Sequence, residues 1–174
     1  MYPETERLEQ APSPCFVLDE AKLRQNLQLI DSVQREAGVT IILALKGFSM
    51  FSAFPLVREY LSGATASSLN EIKLVNEYMG VPAHAYVPAY RDDEFDEILS
   101  RSSHVTFNSW TQWERFMGQR AESLEREVAN VTPSHEASAP ISFGIRVNPQ
   151  YSEVATDMYN PCVPGSRLGV TRDK

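Results

Sequence analysis

One apolar run decides the fold of this chain, and it reads Thr40-Ile41-Ile42-Leu43-Ala44-Leu45-Lys46-Gly47-Phe48. Consecutive apolar residues after a turn signal predict a strand that is buried on both faces of a parallel sheet. Lys46 follows this strand, at the edge where parallel α/β folds place their chemistry. Burial lowers the pKa of a lysine, and the neutral amine can form a Schiff base with a carbonyl group. The alternative is a lysine that leaves the strand and extends into water.

Outward from this run, the chain alternates between predicted strands and predicted helices. The other predicted strands comprise residues 14–18, 63–68, 84–87, 104–108 and 141–147. Apolar residues at helical spacing, capped by Asp19 and Ser109 among others, predict helices between them, over residues 20–37, 53–61, 69–79, 92–99 and from 110 onward. Such alternation with short connections predicts βαβ units and a parallel sheet. No G-x-G-x-x-G follows the first strand, which argues against a dinucleotide-binding unit.

The number of βα units favours an incomplete (β/α)8 TIM barrel. A complete barrel needs about 250 residues and eight such units, whereas this chain has 174 residues. An unclosed parallel sheet exposes strand edges and apolar faces, so we expect the chain to be the N-terminal portion of a larger protein. A small flavodoxin-like open sheet, complete in itself, is the alternative. Residues 130–140 are rich in Ser, Pro and Ala and predict a flexible surface insertion.

The barrel interpretation makes a geometric prediction that separates it from the flavodoxin-like alternative. Strand order should follow the sequence, with right-handed crossovers, whereas a 2-1-3 order would indicate the open sheet. In the barrel, the residues that end consecutive strands should point toward one end of the curved sheet: Lys46, Ser67, Val87, Asn108 and Arg146.

Composition narrows the class of partner. The formal net charge is -7, from Asp+Glu 23 against Lys+Arg 16, which argues against nucleic acid as the main partner and does not hinder a cationic substrate. Cys15 and Cys162 are far apart and suggest neither a disulfide framework nor a metal site. The three histidines also lack the spacing of metal ligands. With a polar, acidic N-terminus and no membrane-spanning stretch, we expect a cytoplasmic protein that binds no membrane.

Several ordered stretches resemble a known enzyme family. The first three are Pro14-Cys15-Phe16-Val17-Leu18-Asp19, Ala44-Leu45-Lys46-Gly47, and Gly63-Ala64-Thr65-Ala66-Ser67-Ser68-Leu69-Asn70-Glu71-Ile72. Together they are similar to the alanine-racemase-like, fold-type III decarboxylases that use pyridoxal phosphate. Later stretches make the chain resemble the carboxynorspermidine (carboxyspermidine) decarboxylases in particular: Tyr86-Val87-Pro88-Ala89-Tyr90, Val105-Thr106-Phe107-Asn108-Ser109, Arg146-Val147-Asn148-Pro149, Ser152-Glu153-Val154 and residues 159–169.

This resemblance implies a domain organisation. Residues 1–18 would supply a strand of a second, β domain whose remainder is absent, and residues 19–174 the N-terminal part of the pyridoxal-phosphate-binding barrel. The family's phosphate cradle, its ring-stacking histidine and its substrate-binding acids come later in the chain. We therefore expect this portion to be inactive alone and to need the missing C-terminal segment of the same protein. Family members are homodimers with shared active sites, so the resemblance also implies a homodimer.

The resemblance implies a carbon–carbon lyase of polyamine biosynthesis, which decarboxylates carboxynorspermidine or carboxyspermidine to norspermidine or spermidine with pyridoxal 5'-phosphate. Lys46 matches the Schiff-base lysine. Arg146 matches an arginine near the cofactor ring, although a structural ion pair is an alternative. Glu71 matches a glutamate near the cofactor, although a helix-start carboxylate favoured by the dipole is an alternative. Ser67 would keep the strand slim beneath the cofactor, and no metal is implied.

Other functions stay open at this point. A decarboxylase acting on diaminopimelate, lysine or ornithine is one alternative, since the substrate-selecting residues lie mostly outside this portion. A pyridoxal-phosphate-binding barrel protein without catalytic activity would also retain Lys46. A structural or regulatory half-protein would bind no cofactor at all.

Overall fold

The computed structural model describes residues 10–128 and 140–172, and these form a parallel α/β fold. The strands are β1 (Leu43–Ala44), β2 (Ala64–Ala66), β3 (Ala83–Tyr86), β4 (Ser102–Phe107) and β5 (Ser142–Ile145). The helices are α1 (Glu20–Ala37), α2 (Phe54–Arg58), α3 (Leu69–Met79), α4 (Phe95–Ser100) and α5 (Trp110–Val128). Short 3-10 turns cover Phe51–Ala53 and Asp157–Tyr159.

The five strands form one sheet in which spatial order follows the sequence. The order is β1-β2-β3-β4-β5, and every neighbouring pair is parallel. This confirms the predicted order and differs from the 2-1-3 order of the flavodoxin-like alternative. Beyond β5, Val147 forms a further parallel bridge with Val170, so the end of the described chain lies beside the edge formed by β5.

Local signals explain where the two best-predicted helices begin and end. In α1, the Asp19 carboxylate accepts from Lys22 N at 3.0 Å, and Gly38 ends the helix with φ 64°. Helix α3 begins after Ser68, whose hydroxyl accepts from the backbone N–H of residue 71, and ends at Gly80 with φ 67°. Its apolar face is buried as predicted, through Leu69, Ile72, Val75 and Met79.

The hydrophobic core lies between one face of the sheet and the helices. Burial alternates along β2 and β3, as expected when successive side chains point to opposite faces. On the covered face, Phe107 is 0% exposed and contacts the edge of the Trp113 ring at 5.2 Å between centroids. The other face carries half-buried or exposed, mostly polar side chains: Thr65, His84, Tyr86, His104, Thr106 and Ser142.

Two predicted strands differ from the structure. The predicted strand over residues 14–18 is not formed, and Phe16 is 97% exposed, because no described strand pairs with this segment. The predicted strand over residues 40–45 shortens to β1, and Ala44 is exposed rather than buried. The reason is that β1 lies at the edge of the described sheet and pairs only with β2.

Other boundaries shift for local reasons. The predicted helix over residues 53–61 is a 3-10 turn followed by the short helix α2, in which Pro55 occupies the first turn. Helix α4 begins three residues later than predicted, since residues 92–94 form a turn. Trp110 is 52% exposed, whereas Trp113 and Phe116, at helical spacing on the same helix, pack against the hydrophobic core. The predicted insertion, apart from Pro140, lies outside the described residues, as do residues 1–9.

Within the described residues, no helix is both long and apolar enough to cross a membrane. The same part of the chain contains no cluster of three or more potential metal ligands among its His, Cys, Asp and Glu side chains. Cys15 and Cys162 are both free thiols.

Candidate active site at the carboxyl edge of the sheet

The residues predicted to end consecutive strands lie at one edge of the sheet. Lys46 follows β1, Ser67 follows β2, Asn108 follows β4 and Arg146 follows β5. Because all five strands are parallel, their carboxyl ends meet at this edge. The structure therefore places these residues in one row, as predicted.

Lys46 occupies a turn directly after β1. The turn is closed by Gly47 N, which donates to Ala44 O at 2.9 Å. The Lys46 side chain is exposed, and its ammonium makes no hydrogen bond or ion pair with another described residue. Lys46 is thus not buried by the described part of the chain, because nothing described covers the outer edge of β1. The Lys46 Nζ is nevertheless accessible to a carbonyl group.

Ser67 and Glu71 are joined by a short hydrogen bond at the start of α3. Ser67 N donates to Glu71 Oε2 at 2.6 Å, while Glu71 N donates to Ser68 Oγ at 3.2 Å. This reciprocal arrangement satisfies the backbone N–H of Glu71, in the first turn of α3, and that of Ser67, just before the helix. The carboxylate of Glu71 therefore acts as a cap at the start of α3 through a hydrogen bond, whereas the alternative that the sequence left open was an interaction with the helix dipole.

The same capping arrangement recurs two strands away, at the start of α5. Asn108 N donates to Gln112 Oε1 at 2.7 Å, and Gln112 N donates to Ser109 Oγ at 3.1 Å. Here a neutral amide does what the Glu71 carboxylate does at α3. Capping at this edge therefore needs an acceptor oxygen and does not require a negative charge.

Arg146 is half-buried and has no acidic partner among the described residues. Its Nη1 donates to Tyr86 Oη at 2.7 Å, and its Cζ lies 5.2 Å from the centroid of the Tyr86 ring. No carboxylate of the described residues forms an ion pair with Arg146, although many other arginines here have one. The structural ion pair considered for Arg146 is therefore not formed among the described residues. A guanidinium in this state is suited to an anionic ligand.

Asn108 connects Tyr86, the residue that bonds Arg146, to the distant segment 167–169. Its Oδ1 accepts from Tyr86 Oη and from Gly169 N, each at 2.9 Å, and its Nδ2 donates to Arg167 O at 2.7 Å. Sequence analysis did not single out Tyr86 as a site residue. The available signal was that Tyr86 is the last residue of a strand beside the one that Asn108 ends.

The width of the sheet separates Lys46 from Arg146. They follow the first and last strands, and four spacings of about 4.8 Å place those strands about 19 Å apart along a flat sheet. The two side chains can therefore act on one small ligand only if the sheet curves so that its two ends approach each other. Such curvature is what closure into a barrel produces.

Two histidines lie on the polar face of the sheet, below this edge. The rings of His84 and His104 are stacked, with centroids 3.9 Å apart and planes 15° from parallel. Burial lowers the pKa of His84, and the neighbouring His104 lowers it further. No third potential metal ligand among the described residues joins this pair.

No family model matches the chain, but curated relatives do. The chain is 46% identical over 167 residues to the carboxyaminopropylagmatine decarboxylase of Synechocystis sp. (strain ATCC 27184 / PCC 6803 / Kazusa). This match covers 96% of the chain and 39% of the relative. The chain is 38% identical over 162 residues to the carboxynorspermidine/carboxyspermidine decarboxylase of Campylobacter jejuni, covering 93% of this chain and 38% of the relative. The corresponding enzyme of Herminiimonas arsenicoxydans is 36% identical over 157 residues, with 90% and 38% covered.

A solved structure agrees with these relatives. The carboxynorspermidine decarboxylase of Campylobacter jejuni, crystallised with norspermidine, matches with a TM-score of 0.70 and 35% identity. That match covers 92% of this chain and 36% of the solved one. The chain thus spans about two fifths of the length of its curated relatives, 39% and 38% of the first two. Over nearly its whole length, the chain is homologous to the carboxynorspermidine/carboxyspermidine decarboxylases, which confirms the resemblance seen in the sequence.

Proposed function

We propose that this chain is part of an enzyme that decarboxylates a carboxylated polyamine, carboxynorspermidine or carboxyspermidine, with pyridoxal 5'-phosphate as its cofactor. The observation that carries the proposal is the homology over nearly the entire chain to enzymes of that activity, the Campylobacter enzyme being 38% identical. The position of Lys46 at the carboxyl edge of the sheet supports it. The product would be norspermidine or spermidine, which makes the enzyme a carboxy-lyase of polyamine biosynthesis.

The residues at this edge fit pyridoxal phosphate. Lys46 offers an amine free of ion pairs with the described residues, to which the cofactor's carbonyl carbon would bind covalently. Arg146 offers a half-buried cation with no acidic partner among the described residues. When bound, the cofactor supplies an electron sink for the electron pair left behind as carbon dioxide departs. We assign no metal to this site.

Ser67 and Glu71 have supporting roles in this proposal. Ser67 follows the strand Ala64–Ala66, and its own small side chain would keep this edge slim beneath the cofactor. Glu71 fixes the backbone N–H of Ser67 through its 2.6 Å hydrogen bond and so shapes the floor of the site. Either residue would thus contribute to cofactor binding through the shape of the edge.

Exposed apolar side chains support a larger assembly. Phe16, Met158 and Tyr159 are 97%, 79% and 72% exposed. Large apolar side chains exposed to this extent are candidates for contact with another chain or segment. We propose that a C-terminal segment of the same protein and a second copy in a homodimer cover them, and that residues 1–174 alone are inactive.

A second substrate has a specific observation in its favour. The Synechocystis relative, named for carboxyaminopropylagmatine, is 46% identical to this chain, against 38% and 36% for the two relatives named for carboxynorspermidine and carboxyspermidine. Carboxyaminopropylagmatine is therefore the second candidate. Both classes are cationic, and the chain's net charge of -7 does not oppose either.

A decarboxylation assay on the protein expressed from its own gene tests the proposal. Carbon dioxide and the amine product are measured with carboxynorspermidine, carboxyspermidine and carboxyaminopropylagmatine, and with ornithine and diaminopimelate for comparison. We expect release from a carboxylated polyamine and none from a Lys46→Ala variant. Lys73→Ala is the matched control, because Lys73 lies on α3 and pairs with Glu97 at 3.0 Å. No release from any carboxylated polyamine, or full activity in Lys46→Ala, contradicts the proposal.

A further inference from the structure

The hydrogen bonds around Tyr86 have a defined direction. An arginine can only donate, so the 2.7 Å bond from Arg146 Nη1 occupies a lone pair of Tyr86 Oη. The hydroxyl hydrogen of Tyr86 is then directed to Asn108 Oδ1 at 2.9 Å. Tyr86 thus accepts on one side and donates on the other, and its orientation depends on which atom Asn108 presents to it.

Two backbone groups determine which atom Asn108 presents. Gly169 N can only donate, and it donates to Asn108 Oδ1 at 2.9 Å. The carbonyl oxygen of Arg167 can only accept, and it accepts from Asn108 Nδ2 at 2.7 Å. With the segment 167–169 docked, the amide of Asn108 therefore has one favourable orientation, with its oxygen toward Tyr86.

Gly169 also packs directly against Arg146. Its backbone φ of 82° lies in a region that residues other than glycine rarely adopt. A Cβ at this position would lie 3.0 Å from Asn148 N and 3.1 Å from the Arg146 Cγ. Segment 167–169 can therefore dock this closely only with glycine at position 169.

We propose that Tyr86 and Asn108 are positioning residues, which transmit the docking of segment 167–169 to Arg146 and aim its guanidinium at an anionic oxygen group of the ligand. The identity of that ligand rests on the proposed function, and its anionic group is either the phosphate of pyridoxal phosphate or the carboxylate of the substrate. We call the hydrogen-bonded chain from segment 167–169 through Asn108 and Tyr86 to Arg146 the relay. Its arrangement rests only on the contacts among these residues.

A double-mutant cycle on the protein expressed from its own gene tests the relay. Tyr86→Phe removes only the hydroxyl, and Arg146→Gln removes the charge. Binding of pyridoxal phosphate and of pyridoxal, which lacks the phosphate, is titrated by absorbance, and KM and kcat are measured with the carboxylated polyamine. Tyr60→Phe is the matched control, because its hydroxyl also bonds an arginine, Arg24 at 3.2 Å, on helix α1.

We expect Tyr86→Phe to lower the affinity for one anionic ligand about tenfold, which is the effect of losing a hydrogen bond to a charged group. Weaker binding of pyridoxal phosphate but not of pyridoxal identifies the phosphate, and a raised KM with unchanged kcat identifies the substrate carboxylate. The loss should vanish in the Arg146→Gln background and be absent in Tyr60→Phe. Gly169→Ala, which displaces the docked segment, should weaken binding of the same ligand.

Equal losses from Tyr86→Phe in both backgrounds, or no loss for either ligand, overturn the relay. These outcomes are distinct from failure of the proposed function. An enzyme that releases carbon dioxide without coupling between Tyr86 and Arg146 retains the function and refutes the relay. Coupling in pyridoxal phosphate binding, without decarboxylation of any polyamine, supports the relay and refutes the function.

Discussion

Glu71 allows a helix cap and a cofactor-binding residue to be separated by experiment. Glu71→Ala removes the oxygen that accepts from Ser67 N at 2.6 Å. A buried donor without a partner costs about 1–3 kcal/mol. Since Ser67 is half-buried and water partly replaces the lost acceptor, we expect a loss of about 1 kcal/mol, which is also typical for removal of a cap.

The conservative change should behave differently. Glu71→Gln keeps an acceptor oxygen at the same position and loses only the charge, which interacts favourably with the start of α3. That interaction contributes about 0.3–1 kcal/mol, so we expect a loss of about 0.5 kcal/mol. Gln112 supports this expectation, because its amide oxygen already caps α5 by accepting from Asn108 N at 2.7 Å.

The assay is urea unfolding, with pyridoxal phosphate affinity measured on the same variants. Gln112→Ala is the matched control, since it removes an equivalent cap at a position to which the family resemblance assigns no cofactor contact. If the Glu71 charge also contributes to cofactor binding, Glu71→Gln will lower the affinity for pyridoxal phosphate while the free energy of unfolding barely changes. Unchanged stability in Glu71→Ala refutes the capping argument, and equal losses in the Ala and Gln variants show that charge, not the acceptor, matters.

Further predictions concern the core, a helix end and pH. Phe107→Ala should lower the free energy of unfolding by about 3–5 kcal/mol, because the ring is fully buried against Trp113; a loss under about 1 kcal/mol would contradict this packing. Gly80→Ala should cost about 1 kcal/mol in the same assay, since Gly80 ends α3 with φ 67°; no loss would mean that alanine adopts this conformation freely. Burial and His104 lower the pKa of His84 below its ordinary 6.5, so the folded state binds its proton less readily than the unfolded chain. Stability should therefore be complete above that value and decline as pH falls below it, and His84→Asn should weaken the decline measured by unfolding at several pH values; an identical decline in the variant would contradict this cause.

Local signals allowed part of the fold to be predicted residue by residue. Helix α3 was predicted over residues 69–79 and is observed there, because a serine cap, four apolar residues on one face and a glycine stop all lie within it or next to it. The sequential strand order also followed, since short helical connections bring consecutive parallel strands side by side. These features depend on residues that are close together in the sequence, so the sequence alone is enough to predict them.

Features that depend on distant partners could not be predicted in the same way. An apolar run indicates that a strand is possible, but pairing needs a free neighbouring edge, and residues 14–18 have none among the described strands. The exposure of Lys46 likewise depends on what covers β1. The bond between Tyr86 and Arg146 joins residues that are 60 positions apart, and no periodic pattern reveals it.

The capping role of Glu71 shows a third situation. Its position at the start of a helix suggested a carboxylate favoured by the helix dipole, and its place in the family pattern suggested a cofactor contact. The structure shows the cap through the bonds to Ser67 and Ser68. A contact to a cofactor depends on a group outside the protein chain, so only a binding measurement can assign it.

The central claim is that Lys46 carries the cofactor, and reductive labelling tests it most directly. The protein expressed from its own gene is loaded with pyridoxal phosphate, reduced with borohydride, digested and mapped by mass spectrometry. Our account predicts a reduced cofactor on the peptide that contains Lys46, and loss of that label in Lys46→Ala. Label on Lys22 or Lys73, with the Lys46 peptide unmodified, would contradict the account.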